Sequence, residues 1–438
     1  MREAVLRRVS ALCGVLAILS TGTASAQGTP PPRTVPPRWS LGDVVALAVK
    51  NHPLVGQADA DARAAVARRG QVASVRYPQI GANAGASWSE AVSPATGDSE
   101  DATFTTVNGS VSQLVTDFGR TAATVTQADE VAAAAGEYAR SSRVDVVFAA
   151  QIAYFNVLRA ESVLGVTRET VRQRETLYRQ AQAFFDTGLK ARIDVVRAEA
   201  NLYQARADIS GAEHDVHTAR LVLLNSMGID GPADFELAGE PASVEAAGTL
   251  EDWRREADEK HPDLLALRFQ LAAAQAGLLA AKRGDNPSVN ANGRLGWTGD
   301  DTPTDRSWLI GAQVSVPIFN GHLTRRQTEE AAAAVAATEF ALENRRRQIR
   351  LLVAQADQSM RDAVERLAAR EKEREAFAEN QRLAAGRYEA GAGDIIEMVD
   401  AQVQLTAAET NVVQARFDRA VALAALYRAL GRLPQADR

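Results

Sequence analysis

The most regular pattern along the chain is a seven-residue spacing of apolar positions. Val195, Leu202, Ile209, Val216 and Leu223 follow one another at that interval, as do Ala191, Ala198, Ala205, Ala212 and Ala219. Together they form one aliphatic and alanine seam in steps of four and three. A strict heptad held over this length imposes a left-handed supercoil. Ala150, Val157, Leu164, Val171, Tyr178 and Phe185 carry the same spacing upstream. Between the two runs stands Gly188, a residue free to take the positive φ that reverses a chain. The pattern predicts a helical hairpin with its tip at Gly188.

The tip recurs. Gly391 lies 203 residues beyond Gly188, and Met398, Leu405 and Val412 with Ala401, Ala408, Ala415 and Ala422 repeat the seam. Arg419 interrupts it where Val216 stands in the first copy, and Gly431 echoes Gly228. The chain reads as a tandem duplication of residues 40–228 and 249–438. The linker between them, 229–248, carries Gly231-Pro232, Gly239 and Pro241 and is expected to be irregular surface chain. Each copy opens with a capped helix, at Ser40 with Asp43 and at Thr249, and breaks at His52-Pro53 or His261-Pro262. Each then contains a long helix, Thr121 to about Asp186 or Thr324 to about Glu389, on the order of 100 Å at 1.5 Å per residue.

Between the short and long helices the period falls to two. Ile80, Ala82, Ala84, Ala86 and Trp88 alternate with Gly81, Asn83, Gly85 and Ser87. In the second copy Val289, Ala291, Gly293, Leu295 and Trp297 alternate with polar residues, and so do Trp308, Ile310, Ala312, Val314, Val316 and Ile318. Val107 to Val115 is a weaker partner. Strands of about ten residues cross a bilayer when tilted. The joining loops, Glu90 to Asp101 and Thr298 to Ser307, are acidic and polar, and Trp88, Trp297 and Trp308 flank them as an aromatic belt would.

Composition narrows the picture. The net charge of −6 is interspersed, which excludes a basic nucleic-acid surface. Met1 to Ala26 has the plan of a secretory signal: Arg2, Arg7 and Arg8, an apolar run Val9 to Leu19, then Ala24-Ser25-Ala26. The single cysteine, Cys13, falls inside it, so a mature chain has neither disulfide nor thiolate site. Residues 27–39 form a proline-rich, extended leader. No helix of the mature chain is expected to be long and apolar enough to cross a membrane, so a membrane reading must use strands closed into a barrel. Four strands enclose nothing, eight are filled by side chains, and twelve, from three chains, leave a channel. There is no Walker A sequence, and Gly391-Ala392-Gly393 lacks the third glycine and preceding strand of a dinucleotide loop. His214 and His217 are weighed as metal contacts against an exposed helix face, and the face is preferred. No catalytic residue, metal or cofactor is expected.

The elements and their order carry a resemblance. Tyr77-Pro78 precedes the first strand, Asp117-Phe118-Gly119 and Ile318-Phe319-Asn320-Gly321 end the hairpins, and the two tips follow. Over nearly the whole mature chain this resembles the TolC family of outer-membrane efflux proteins. The resemblance implies an α+β membrane protein of long coiled-coil hairpins, each chain adding four strands to a trimeric twelve-stranded barrel in a Gram-negative outer membrane. The helices would form a periplasmic tunnel that docks to a periplasmic adaptor and an inner-membrane RND-type or ABC transporter. The function implied is passive export of drugs or other toxic compounds. Type I protein secretion shares the architecture, and a periplasmic coiled-coil tether is the reading of another class. By the same resemblance Glu397 and Asp400 ring the periplasmic entrance. Asp194 and Tyr388 form a gate link, and Gly188, Leu189 and Gly391 meet the adaptor. Gly393 replaces the basic residue expected there, leaving Lys190 or Arg192 to substitute.

Overall fold

A computed structural model describes residues 38–92, 99–239, 248–300 and 302–433. The signal and nearly all of the proline-rich leader lie outside the described residues, as does the middle of the first hairpin loop. The first half of the chain runs β1 (Arg38–Trp39), α1 (Leu41–Asn51), α2 (Pro53–Ala73), β2 (Gln79–Val92), β3 (Ser99–Thr116), α3 (Arg120–Asp186) and α4 (Arg192–Ser226). The second runs β4 (Glu236–Leu237), α5 (Leu250–Lys260), α6 (Pro262–Lys282), β5 (Ser288–Gly299), β6 (Asp305–Ser315), α7 (Leu323–Glu389) and α8 (Ile395–Ala429).

Local chemistry sets the helix starts identically in both halves. Ser40 and Asp43 form a reciprocal capping box at α1, and Thr249 and Asp252 form another at α5. At the next junction the Nδ1 of His52 accepts from the Leu54 N–H at 3.2 Å, and that of His261 accepts from the Asp263 N–H at 3.2 Å. Each proline then occupies the first helical position, where no N–H is needed. Burial holds the His261 imidazole below its ordinary value. The Asp263 and Asp145 carboxylates oppose this shift, and the Arg345 and Arg140 guanidiniums reinforce it. The unfolded chain therefore takes up this proton more readily than the folded one. Stability from His261 is complete above about pH 6.5 and is lost as pH falls below it. A protonated Nδ1 also cannot cap. His261→Asn keeps an acceptor without titrating, and is expected to flatten the fall in melting temperature between pH 7.5 and 5. An unchanged slope would remove His261 from the account.

The two long helices are each 67 residues and the two helices after them each 35. The heptad seam of α4 is buried at Val195, Ala198, Leu202, Ala205, Ala212, Val216 and Leu223, and packs on α3. The seam of α8 is buried at Met398, Ala401, Leu405, Ala408, Val412, Ala415 and Ala422, and packs on α7. The upstream heptad holds through Val171 and then fails at Phe185, which is exposed. Leu177, Ala181 and Phe184 take over. A straight α-helix drifts from a seven-residue repeat by roughly 20° per heptad, so the contact face moves onto neighbouring residues.

The sheet has the order β2-β3-β5-β6, two antiparallel hairpins joined through β3 and β5. The register settles which residues share a face. Ile80 pairs with Val111, Val111 with Gly293, and Gly293 with Ile310. Nearer the loops, Leu295 pairs with Trp308. One face therefore carries Ile80, Ala82, Ala84, Ala86, Trp88, Val107, Val111, Leu295, Ile310 and Val314. The other carries Asn83, Ser87, Asn108, Ser110, Asn290, Asn292, Arg294 and Gln313. Both faces are open to solvent in the single chain, and on the apolar one Ile80 is 83% and Ile310 82% exposed. Residues exposed at the foot of the sheet, Tyr77, Phe118 and Phe319, make a second aromatic level opposite Trp88 and Trp308. From Tyr77 to Trp88 is roughly 36 Å at about 3.3 Å per residue, or roughly 28 Å of bilayer at a tilt of about 40°. Strand β3, expected to be weak, is the longest at 18 residues. The second hairpin ends at Ser315, so Val316 and Ile318 fall outside the strand.

Two expectations are corrected. The linker is not wholly irregular: β4 pairs in parallel with β1, and the buried Phe235 stacks on Trp39 at 4.7 Å between ring centroids. The Tyr154 hydroxyl donates to the Ala238 carbonyl at 2.5 Å, fixing the described part of the linker to α3. Apolar anchors spaced among turn residues produced this clasp. The second correction concerns α6. It is 21 residues long, its most apolar 18 residues have a mean hydropathy of 1.5, and it is long and apolar enough to cross a membrane. In this fold α6 lies against α3 and α7 and buries Leu264, Ala266, Ala273 and Ala276.

Candidate functional site

The predicted functional residues gather where the two helical hairpins end. At the first tip Gly188 has φ +77°, and the Leu189 N–H reaches back to the Phe184 carbonyl at 2.9 Å. At the second, Gly391 has φ +74°, and the Ala392 and Gly393 N–H groups both reach the Arg387 carbonyl at 2.9 Å. These bonds satisfy the last carbonyls of each long helix. Leu189 projects from the first tip, 70% exposed. The two tips share one core of Leu177, Ala181, Val195, Ala198, Ala384, Tyr388, Ile395, Met398 and Ala401.

Tyr388 sits inside that core, 1% exposed, with Phe184 at 5.7 Å between ring centroids. Its hydroxyl is buried and has no hydrogen-bond partner among the described residues. Burial raises the phenol's pKa, and the charges of Asp194 and Asp394 raise it further. Asp194 is itself buried, in the first turn of α4. The structure thus brings Asp194 and Tyr388 together without a hydrogen bond between them.

A different residue joins the tips directly. The Lys190 ammonium donates to the Gly393 carbonyl at 2.9 Å and lies 5.3 Å from the Tyr388 ring centroid, within cation–π range. Gly393 is buried, and a side chain there would collide with the backbone: its Cβ would stand 2.9 Å from the Tyr388 nitrogen. The absent basic residue is therefore a steric consequence of this turn, and Lys190 supplies the cation from the opposite tip. Arg192, the other substitute considered, is exposed on α4.

Glu397 and Asp400 lie exposed on the first turns of α8, three apart and so on one face. Arg387 stands 3.6 Å from Glu397, and Gln404 donates to Asp400 at 3.1 Å. Sequence reasoning missed Arg387. It also missed a polar layer higher in the bundle, where buried Arg174 of α3 donates to buried Gln402 of α8 at 2.7 Å. The available signal was a charge on an otherwise apolar stripe with Leu177 and Ala181. His214 and His217 are both on the exposed face of α4.

Four strands with a bare apolar face, standing on coiled coils about 100 Å long, describe one wall segment of a membrane duct that reaches a distant partner. The sequence profile of the outer membrane efflux protein family matches residues 44–229 and 253–432, and the chain belongs to that family. It is 28% identical over 422 residues to Protein CyaE of Bordetella pertussis, covering 92% of this chain and 87% of that protein. It is 27% identical over 328 residues to outer membrane protein OprJ of Pseudomonas aeruginosa, covering 72% and 67%. The crystal structure of CusC superposes with a TM-score of 0.80 at 20% identity, over 90% of this chain and 92% of that one, and shows a shared fold. The chain is accordingly the outer-membrane exit duct of a tripartite efflux system, working with an adaptor and a pump, its helices forming a tunnel in the periplasm.

Proposed function

We propose that three copies close a twelve-stranded barrel and that the tips of their helices form its gated, cation-attracting entrance. The observation that carries this is the bare apolar face of a four-stranded sheet whose outer strands, β2 and β6, each keep one edge unpaired among the described residues. A sheet that must satisfy every backbone group in lipid needs its edges paired, and a tether has no use for such a face. At the entrance, Glu397 and Asp400 from each copy sum to a ring of negative potential, tempered by Arg387. Tyr388's buried hydroxyl, unpartnered beside the Asp194 charge, supports a link made in one state and broken in another. Lys190 holds the two tips of one chain together in the closed arrangement. Gly188, Leu189 and Gly391 present the surface on which the adaptor docks. The cargo is small toxic compounds, as the family's description of efflux supports, and an inner-membrane RND-type or ABC transporter drives them.

The reconstituted duct in a planar bilayer is expected to prefer cations and to be blocked by multivalent cations from the helical side. Glu397→Gln with Asp400→Asn should reduce both effects severalfold. Selectivity and block that survive both neutralisations would show that these carboxylates do not line the entrance.

A further inference from the structure

The duplication supplies an internal comparison between two helix joints. At each, the glycine after a 35-residue helix abuts the start of a 21-residue one. Gly228 meets Asn51 and His52, and Gly431 meets His261 and Pro262. Capping histidine, proline and glycine recur at both, so these are what the joint itself requires. The charges around them do not recur. Shifted by the offset between the tips, Arg345 corresponds to Ser142, Arg428 to Asn225 and Asp145 to Gln348. The first joint closes without this set of charges, so closure does not account for it at the second. There a cavity of about 380 Å³ opens between α3, α7 and α8, walled by one chain. Its apolar wall includes half-buried Phe148 and Ala425 and the exposed Leu352, and its rim carries Asp145, Arg345 and Arg428. Arg345 is fully engaged: its Nε donates to Asp263 at 3.1 Å, one terminal nitrogen also donates to Asp263, and the other donates to Gln348 at 3.2 Å. Arg428 is not. Its Nε donates to Asp145 at 2.8 Å and its guanidinium lies 4.9 Å from the Phe148 ring centroid, while its terminal nitrogens donate to nothing among the described residues.

We propose that this cavity binds a small organic acid, its apolar body against Phe148, Leu352 and Ala425 and its carboxylate on the terminal nitrogens of Arg428. A guanidinium receives a carboxylate through paired N–H donors, and one already fixed by a ring and an ion pair gives up little freedom in doing so. Asp145 occupies the Nε edge and leaves the outer edge open. An apolar wall with a few converging polar groups, in a cavity of this size, is the usual form of a small-molecule site. The occupant would touch α3, α7 and α8 at once and so favour the arrangement in which all three meet. Every group invoked belongs to one chain, so the site stands or falls apart from the trimeric reading.

Naphthoate is the probe, titrated calorimetrically into the full chain in lipid nanodiscs with empty nanodiscs as the blank. It is expected to bind saturably and to raise the melting temperature, and its neutral isostere naphthamide should bind roughly tenfold more weakly. Arg428→Asn places the first joint's residue at the second, and should weaken naphthoate roughly tenfold while leaving naphthamide unchanged. Leu352→Glu alters only an exposed side chain and should abolish naphthoate binding by charge repulsion. Without the probe both variants should melt as the wild type does, and if Arg428→Asn melts early, Leu352→Glu alone decides. Equal affinity for naphthoate and naphthamide would overturn the assignment to acids. Naphthoate binding that survives in Leu352→Glu would place the bound probe elsewhere and overturn the site, and the absence of saturable binding to the wild type would overturn the proposal outright.

Discussion

Ile310→Arg is expected to abolish accumulation of assembled protein in the outer membrane, whereas Asn292→Arg is expected to be tolerated. The two positions are close in the sheet: Ile310 pairs with Gly293, and Asn292 pairs with Gly311. They differ in face. Ile310 projects from the apolar side near the middle of β6 and is 82% exposed, while Asn292 belongs to the polar side. A cation on the lipid face of a barrel costs about 2–4 kcal/mol near the bilayer centre, and lumenal substitutions cost little. The proposed three-copy barrel would repeat that cost in every subunit. The measurement is the amount of heat-resistant oligomer in outer-membrane fractions. Equal loss from both variants would mean that the apolar face does not meet lipid.

Gly393→Arg restores the basic residue that the family resemblance leads one to expect, and it should loosen the tip. The buried position has no room for a Cβ, which would meet the Tyr388 nitrogen at 2.9 Å and the Arg387 carbonyl carbon at 3.0 Å. Overpacking of this kind costs typically 1–3 kcal/mol, and here the strain falls on the turn whose carbonyl receives Lys190. Open probability in bilayer recordings should rise at least severalfold. Lys190→Ala, which deletes one hydrogen bond and one ring contact without distorting the turn, should produce a smaller rise in the same direction. A Gly393→Arg channel that closes more tightly than wild type would show that the turn rearranges to accept the side chain, and that the Lys190 bridge is not what holds the tips.

Much of this fold was readable because its signals are local. A seven-residue spacing beside a glycine locates a tip, and Gly188 and Gly391 both have the positive φ that the spacing demanded. The capping residues Ser40 and Thr249 were equally legible, since each acts on residues three positions away. What escaped depends on partners far along the chain. Strand β3 read as weak because Thr103, Thr105 and Gly109 fall on its apolar face and blur the alternation, although they pair fully with β2. The Lys190 bridge spans 203 residues and the Arg174–Gln402 pair 228, and no local pattern links either. Phe185 misled because a heptad counted in sequence outruns the turn of a real helix. The linker misled because its turn residues conceal Phe235, whose burial against Trp39 only the folded chain reveals.

The hydrophobicity of α6 bears on how the molecule is made. A protein destined for the outer membrane must first be threaded, unfolded, through the inner one, where segments of about 20 apolar residues are held back as anchors. With a mean hydropathy of 1.5 over its most apolar 18 residues, α6 approaches that condition. Alanine supplies seven of its residues, Ala266, Ala273 and Ala276 among the buried ones. Small side chains let the helix lie closely against α3 and α7 while adding little to retention in lipid. The alanine-rich character of this bundle thus meets a demand of export as well as of shape: the wall of the tunnel must be apolar enough to assemble and bland enough to be delivered.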